Sequence, residues 1–361
     1  MLDNACSSMP CFWRHLRLHS LAYRLALTSA FVLGLPAGFG VAEEPSPQVP
    51  RFELTPQPDA SIHFTIDGEH QLGWHYDTDA PRPFFFPFRS PSGALLTRMG
   101  HPGAENHDHH RSIWFAHHDV DGHSFWQDES GCTIRQDFWM VQDDGDVEGV
   151  FAARLSWLDP SGTPLLQHDL VAALQQAGND EHALEIQSTF RPADGREQVT
   201  LGKTNFGFLA VRVARSISDF FGGGTLTNSE GLVGEPAIFG TPATWVDYSG
   251  PVGVGLGKAR TSEIEGITFF DHPENPRHPA RWHVRADGWM GASFCFDDAW
   301  ELTGDAPLTL RYLLYAHRGG ASDAPINSVQ HAFHQRPGWQ IRPSNSTEKH
   351  RQWVVERVAT P

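Results

Sequence analysis

Lysine and arginine are scarce in this 361-residue chain, 27 against 43 aspartates and glutamates, which leaves a formal net charge of −16 at pH 7. Phosphate backbones and anionic membranes are bound by clustered cations, so the shortage excludes both as partner classes. Cysteine is rarer still, four in all. Two of these, Cys6 and Cys11, fall in an N-terminal leader, and only Cys132 and Cys295 remain, enough for one disulfide in an oxidising compartment. Long hydrophobic runs are missing after Ala42. The densest apolar stretch, residues 83–88, is short and broken by proline, far from the ~18–20 residues a spanning helix needs. There is no HExxH motif, no regular cysteine/histidine zinc spacing, no internal repeat and no long linker.

The leader has three parts. Arg14, Arg17 and Arg24 are its positive region, residues 25–41 are apolar or small, and Gly40-Val41-Ala42 puts small residues at a cleavage site. That order is the order of a secretory signal peptide. Residues 1–42 are therefore expected to be removed, and 43–361 to form a single domain. The expected product is soluble, periplasmic or extracellular, and has no membrane span.

The rest of the chain reads as strands and turns. Segments 61–66 and 71–76 alternate apolar and polar residues around Asp67-Gly68, a two-residue hairpin signal. Further strand-like runs occupy 150–158, 165–174, 183–190, 206–213, 244–248, 266–270, 290–296 and 308–315, separated by Gly, Pro, Asn and Asp. Many strands at short spacing predict an all-β sandwich or barrel. One helix is expected, with Asp323 as N-cap, Pro325 in the first turn and residues 326–335 as its body.

Two polar clusters stand out. The first is His107-Asp108-His109-His110-Arg111-Ser112, continuing to His117, His118 and Asp119. If 112–119 is a strand, Ile113, Phe115, His117 and Asp119 share one face, and Trp114 and His118 the other. Neutral imidazoles with a carboxylate suit a divalent transition metal, which makes His117 and Asp119 candidate ligands. The same imidazoles suit metal-free acid–base catalysis, and a solvated loop beside a strand explains them without chemistry. The second cluster runs from Asp271 through His272, Asn275 and His278 to His283 and Arg285, stiffened by three prolines. A rigid polar loop beside a strand is a common place for a binding site. Between the clusters, Lys203 and Glu230 are candidate substrate-binding charges, with a bare surface role as the alternative.

Several long segments resemble the PmoA-like family, whose members are often labelled "methane oxygenase PmoA". They are HDHHRSIWFAHHDVDGHSFW from His107, FGFLAVRVARSIS from Phe206, LTNSEG from Leu226, ATWVDYSGPV from Ala243, DHPENPRHPARWHVRADGWMGASF from Asp271, and LTLRYLLYAHRG ending at Gly319. The family commonly has proline where this chain has Asp108. The resemblance implies an exported protein with a large antiparallel β-sandwich like that of the galactose mutarotases. The membrane subunit of particulate methane oxygenase spans the bilayer several times, and no span follows the leader here, so the label carries no mechanism.

Together these readings point to an exported, carbohydrate-active protein that takes a small sugar, an oxidised sugar or an oligosaccharide. Epimerisation, elimination or glycosidic cleavage would use His109, His110 and His283 as acid or base and Arg111 to polarise a substrate oxygen. Lys203, Glu230, Asp271, His272, Asn275, His278 and Arg285 would bind the substrate. The alternatives are a non-catalytic carbohydrate-binding protein and a metal-dependent oxygenase, for which His117 and Asp119 would join His109 or His110. No cofactor other than a divalent metal is suggested. N-terminal sequencing of the exported protein should start at Glu43; a product that retains residues before Gly40 would overturn the leader assignment.

Overall fold

The computed structural model describes residues 48–358, apart from 102, 104–106, 179, 346 and 348–349. The proposed leader lies outside the described residues. Val49 to the C-terminus makes one compact unit, and no helix among the described residues is long and apolar enough to cross a membrane.

Two eight-stranded antiparallel sheets form a β-sandwich. The first contains β1 (Phe52–Gln57), β2 (Ser61–Ile66), β3 (Glu69–His75), β4 (Phe84–Phe88), β5 (Ile113–His117), β11 (Gly207–Arg212), β16 (Trp289–Ala292) and β15 (Trp282–Arg285), in that spatial order. The second is ordered β12 (Thr225–Asn228), β13 (Trp245–Val254), β14 (Thr261–Asp271), β18 (Leu308–Arg318), β9 (His182–Pro192), β8 (Pro164–Gln176), β7 (Glu148–Leu158) and β6 (Thr133–Asp143). Two small pairs complete the fold, β10 (Gln198–Leu201) with β17 (Trp300–Thr303) and β19 (Trp339–Pro343) with β20 (Trp353–Arg357).

The main core lies between the two sheets. Phe64, Trp74, Ile113, Phe115, Leu209, Val211, Trp282 and Met290 from the first sheet meet Phe151, Trp157, Leu170, Ile186, Phe269 and Leu314 from the second. Fully burying each large apolar side chain contributes about 1.5–3 kcal/mol, so this layer dominates the stability.

The expected strands recur, mostly longer by a few residues, and the Asp67-Gly68 turn has both residues at positive φ, +51° and +81°, as a type I′ hairpin requires. Three of the differences have a local cause. The strand expected over 112–119 spans only Ile113–His117, because Ser112 takes φ +56° and breaks the alternation before Ile113. The strand expected over 290–296 ends at Ala292, where Ser293 turns its hydroxyl to the Asn205 carbonyl (2.7 Å). The helix, α3 (Ile326–Gln335), starts at Pro325 without a side-chain cap. Asp323 accepts instead from the Gly320 amide at 3.2 Å. Ile326, Val329 and Phe333 of α3 pack on Phe270, Leu313 and Tyr315 of the second sheet. Two further helices, α1 (Asp219–Gly222) and α2 (Glu235–Ile238), are single turns.

On the outer face of the second sheet, Glu185 of β9 is fully buried and collects three arginines. Arg311 of β18 reaches it at 3.3 Å, Arg336 beyond α3 at 3.2 Å, and Arg357 of β20 at 2.9 Å. Burial disfavours its charge, but Arg357, Arg336 and Arg311 more than offset that and hold its carboxyl below the ordinary value of 4.5. A depressed carboxylate contributes stability that is complete above its unfolded value and disappears as pH falls through the lower folded one. Glu185→Gln should therefore cost about 3–5 kcal/mol in denaturant unfolding at pH 7. The gap between variant and parent should narrow as pH falls below the unfolded value of 4.5 toward the lower folded one; a gap that stays constant from pH 7 down to the acid-unfolding limit would refute the assignment.

Candidate functional site

The outer face of the first sheet carries a second, smaller apolar cluster. Trp114 and Ala116 of β5, Ala210 of β11, Trp289 of β16 and the nearby Trp126 form it, with Phe206 and Phe84 packed alongside. Strand alternation is the reason: each of these strands sends one set of side chains to the main core and the other outward. Cross-strand register then arranges the outward set in rows. Trp114, Ala210, Gly291 and His283 stand side by side across four strands, and Arg212, Trp289 and Arg285 form the next row. The two smallest residues sit in the middle of the first row, and the sheet is hollow there.

A cleft of about 440 Å³ opens over this floor, within the ~300–1,000 Å³ range of small-molecule sites. His283 lies on one side and His109 and His110 on the other, with Trp289 between them. The Trp289 ring is 4.6 Å from His110 and 5.7 Å from His283, centroid to centroid. Trp126 and Phe206 continue the aromatic wall at 5.2 Å from Trp289 and 4.9 Å from His283 respectively. His107, His118, Gln127, Glu129, Arg212, Arg285 and Asp287 complete the lining.

The imidazoles are held neutral. Burial, followed by the charges of Arg82 and Arg285 respectively, lowers His109 and His283 to about 4. Burial and the neighbouring His109 push His110, only 7% exposed, far lower. The tautomer of His283 follows from its partner. Nδ1 is 3.0 Å from the Asn205 carbonyl, which can only accept, and 3.5 Å from that residue's side-chain amide nitrogen; the shorter contact puts the proton on Nδ1 and the lone pair on Nε2. Among the described residues, His109 Nε2, His110 Nδ1, Trp289 Nε1 and Arg212 Nε have no hydrogen-bond partner. Buried polar atoms are seldom left so, and these four belong to residues that line the cleft.

Asp287, in the turn between β15 and β16, closes the end of the cleft. It receives Arg212 through two bonds of 2.8 and 3.2 Å and His101 at 3.0 Å. Burial opposes its ionisation, but the bonds and charge of Arg212 prevail and keep its carboxyl below the usual range.

The structure therefore joins part of each polar cluster and separates the rest. His109, His110, His283 and Arg285 meet at the cleft. Arg111 does not: it is bound to Asp128 through bonds of 3.1 and 2.7 Å, beside Arg82, and braces the Gln127–Glu129 rim. Asp271, His272, Asn275 and His278 also stay outside. Asp271 accepts from Asn275, His278 and the Ala280 amide at 2.7–2.8 Å, and Asn275 bonds both backbone groups of Arg311. His272 is bonded on both ring nitrogens, to the Phe333 carbonyl and the Glu274 amide. This loop spends its polar groups on fixing itself beside β18. Lys203 and Glu230 are exposed in a bend and a turn and do not line this cleft.

The metal set is not assembled either. His117 is fully buried on the core side of β5, bonded through Nε2 to the Gly202 carbonyl (3.1 Å) and stacked on Phe208, while Asp119 caps the Gly122 amide at 2.8 Å. His109 and His110 are at the outward face. Among the described residues no group of three or more His, Cys, Asp or Glu side chains is arranged to hold a metal. Cys132 and Cys295 are both buried and unpaired.

Sequence reasoning missed Arg212, Asp287, Trp126, Trp289 and Phe206. All but Asp287 sit in or beside apolar runs that read as core, and only the lateral order of β5, β11, β16 and β15 brings them together. Imidazoles lowered to about 4 should keep constant NMR ring shifts between pH 8 and about 5.5; titration of His109 or His283 near pH 6.5 would refute this electrostatic picture.

No curated protein matches the chain. Among solved structures, a human-microbiome protein provisionally named a kojibiose phosphorylase aligns with 79% of this chain and 36% of its own, at 8% identity and a TM-score of 0.28. The chain spans about a third of that protein's length, and a likeness this slight bears on neither fold nor activity. The model described as "Family of unknown function (DUF6807)" matches residues 61–330, three quarters of the sequence, and the chain belongs to that family.

Proposed function

We propose that the cleft binds a sugar or oxidised sugar and moves a proton on it. The observation that carries this reading is the pair of neutral imidazoles facing each other across an aromatic floor, each with a nitrogen uncommitted to the protein. His283 Nε2, its tautomer set by the Asn205 carbonyl, acts as base, and His109 opposite it exchanges the second proton. Trp289 and Trp126, nearly buried, form an apolar floor beneath a sugar ring, and half-buried Phe206 offers it an aromatic surface. His110, packed between Trp114 and Trp289, positions rather than reacts. Epimerisation and elimination fit two bases on opposite walls. A paired-carboxylate cleavage fits less well, since Asp287 is held ionised by Arg212 and is not available as a general acid.

The resemblance to the PmoA-like family and the exported location belong to this reading as proposals. An oxygenase of the facial-triad type needs two histidines and a carboxylate on one metal. His117 and Asp119 are turned away from His109 and His110, so this donor set does not fit, and the proposed chemistry rests on the chain's own residues. A non-catalytic sugar-binding protein remains the second reading, favoured by the aromatic floor.

The test is a screen of glycosides and 3-keto-glycosides, followed by His109→Gln and His283→Gln variants. Turnover should fall about 10²–10⁴-fold with melting temperature nearly unchanged. Variants that react at the parent rate would overturn the acid–base assignment. Saccharide binding without turnover in the parent would establish the binding-only reading.

A further inference from the structure

The row Arg212–Trp289–Arg285 is chemically unlike the row of His283. Its members are all permanent N–H donors, which no change of tautomer converts into acceptors. Arg212 is fully buried and Trp289 only 2% exposed, yet Arg212 Nε and Trp289 Nε1 have no acceptor among the described residues. They are directly paired across β11 and β16. Arg285, paired with Trp289 across β16 and β15, bonds through Nη1 alone, to Glu235 at 3.2 Å and to the Val284 carbonyl at 3.3 Å.

Charge around this row is unbalanced. Arg98 binds the Asp287 backbone carbonyl at 2.9 Å, and both Arg98 and Arg215 lie over the Phe221 ring, at 5.5 and 5.4 Å. Arg98 and Arg212 therefore meet at Asp287, and Arg215 lies beside Arg98. Two buried donors of Arg98, Nε and Nη1, also have no partner among the described residues. The other carboxylate lining the cleft, Glu129, lies on the His109 side. Asp287 pairs with Arg212 and Glu235 with Arg285, which leaves Arg98 as a cation with no ion pair among the described residues, and such a surplus in a chain of net charge −16 attracts and orients an anion.

We propose that the substrate carries a carboxylate, as a hexuronate does, and that Arg212, Trp289 and Arg285 receive it. The proposal rests on the sugar-binding reading of the cleft and narrows it. A carboxylate supplies four lone-pair sites, matched to several convergent N–H groups, and charge-assisted bonds of this kind are about twice as strong as neutral ones. The neutral imidazoles add no competing charge, and the sugar ring is left to the aromatic floor.

Isothermal titration of the full mature protein with glucuronate, galacturonate, glucose and galactose tests this. The uronates should bind at least about tenfold more tightly than the matching hexoses, and the margin should shrink between low and 0.5 M salt. Trp289→Phe, which keeps a ring and removes the N–H, and Arg285→Gln should each reduce the margin without weakening the hexoses to the same degree. Equal binding of hexoses and uronates, abolished by His283→Gln, would overturn the carboxylate proposal and leave the sugar cleft standing. Absence of binding by all four saccharides would overturn both.

Discussion

Strand alternation on the first sheet is the constraint from which the site follows. Each of β5, β11, β16 and β15 has to serve two environments, and no residue on them can serve both. Ile113, Phe115, Leu209, Val211, Met290, Trp282 and Val284 are committed to the core. What remains is eight positions facing out, Trp114, Ala116, Ala210, Arg212, Trp289, Gly291, His283 and Arg285, and these hold the aromatic rings, the arginines and His283. A one-residue slip of any strand would exchange the two sets, burying Arg285 or His283 between the sheets and exposing Val284. The large core thus stabilises the fold and also enforces the register that puts the donors in one row and the base in the next.

The same packing sets the electrostatics. Rings that would be ordinary titrating histidines in water are pressed against tryptophan and kept near guanidinium groups, and both influences favour the neutral form. On the second sheet the balance goes the other way. Glu185, equally deep, stays ionised because three arginines converge on it from β18, β20 and the segment after α3. One molecule therefore holds buried bases uncharged on one face and a buried acid charged on the other. The difference lies in whether partners of opposite sign are within bonding distance.

Much of the fold was legible in the sequence because the signals were local. The Asp67-Gly68 turn, the alternation of 61–66 and the apolar spacing in α3 each depend on residues a few positions apart. The opposed faces of His117 and His118 were also readable, but the metal set of His117 and Asp119 with His109 or His110 fails because His117 turns to the core while His109 and His110 line the outward cleft. What could not be read was lateral order. Nothing near Arg212 indicates that Trp289 lies beside it, 77 positions along, because β11 pairs with β5 on one side and β16 on the other. The Asp271–His278 loop misled for a related reason. Its polar residues look available in sequence, but backbone groups of Arg311 and Phe333, supplied by β18 and α3, consume them.

His283, Asp287 and Trp289 come from a single hairpin, and β15 is the outermost strand of its sheet. Edge hairpins open locally at a fraction of the free energy needed to unfold a whole domain. The integrity of the cleft is therefore governed by the closing of eleven residues, 282–292, held along one side by β11 and along the other by a few bonds to the 240–243 segment. Against such opening stand Trp282, Val284, Met290 and Ala292 of the same hairpin, all fully buried in the main core. The site therefore comes apart only where that core yields, and occupancy of the cleft would be felt as slower amide exchange along the hairpin.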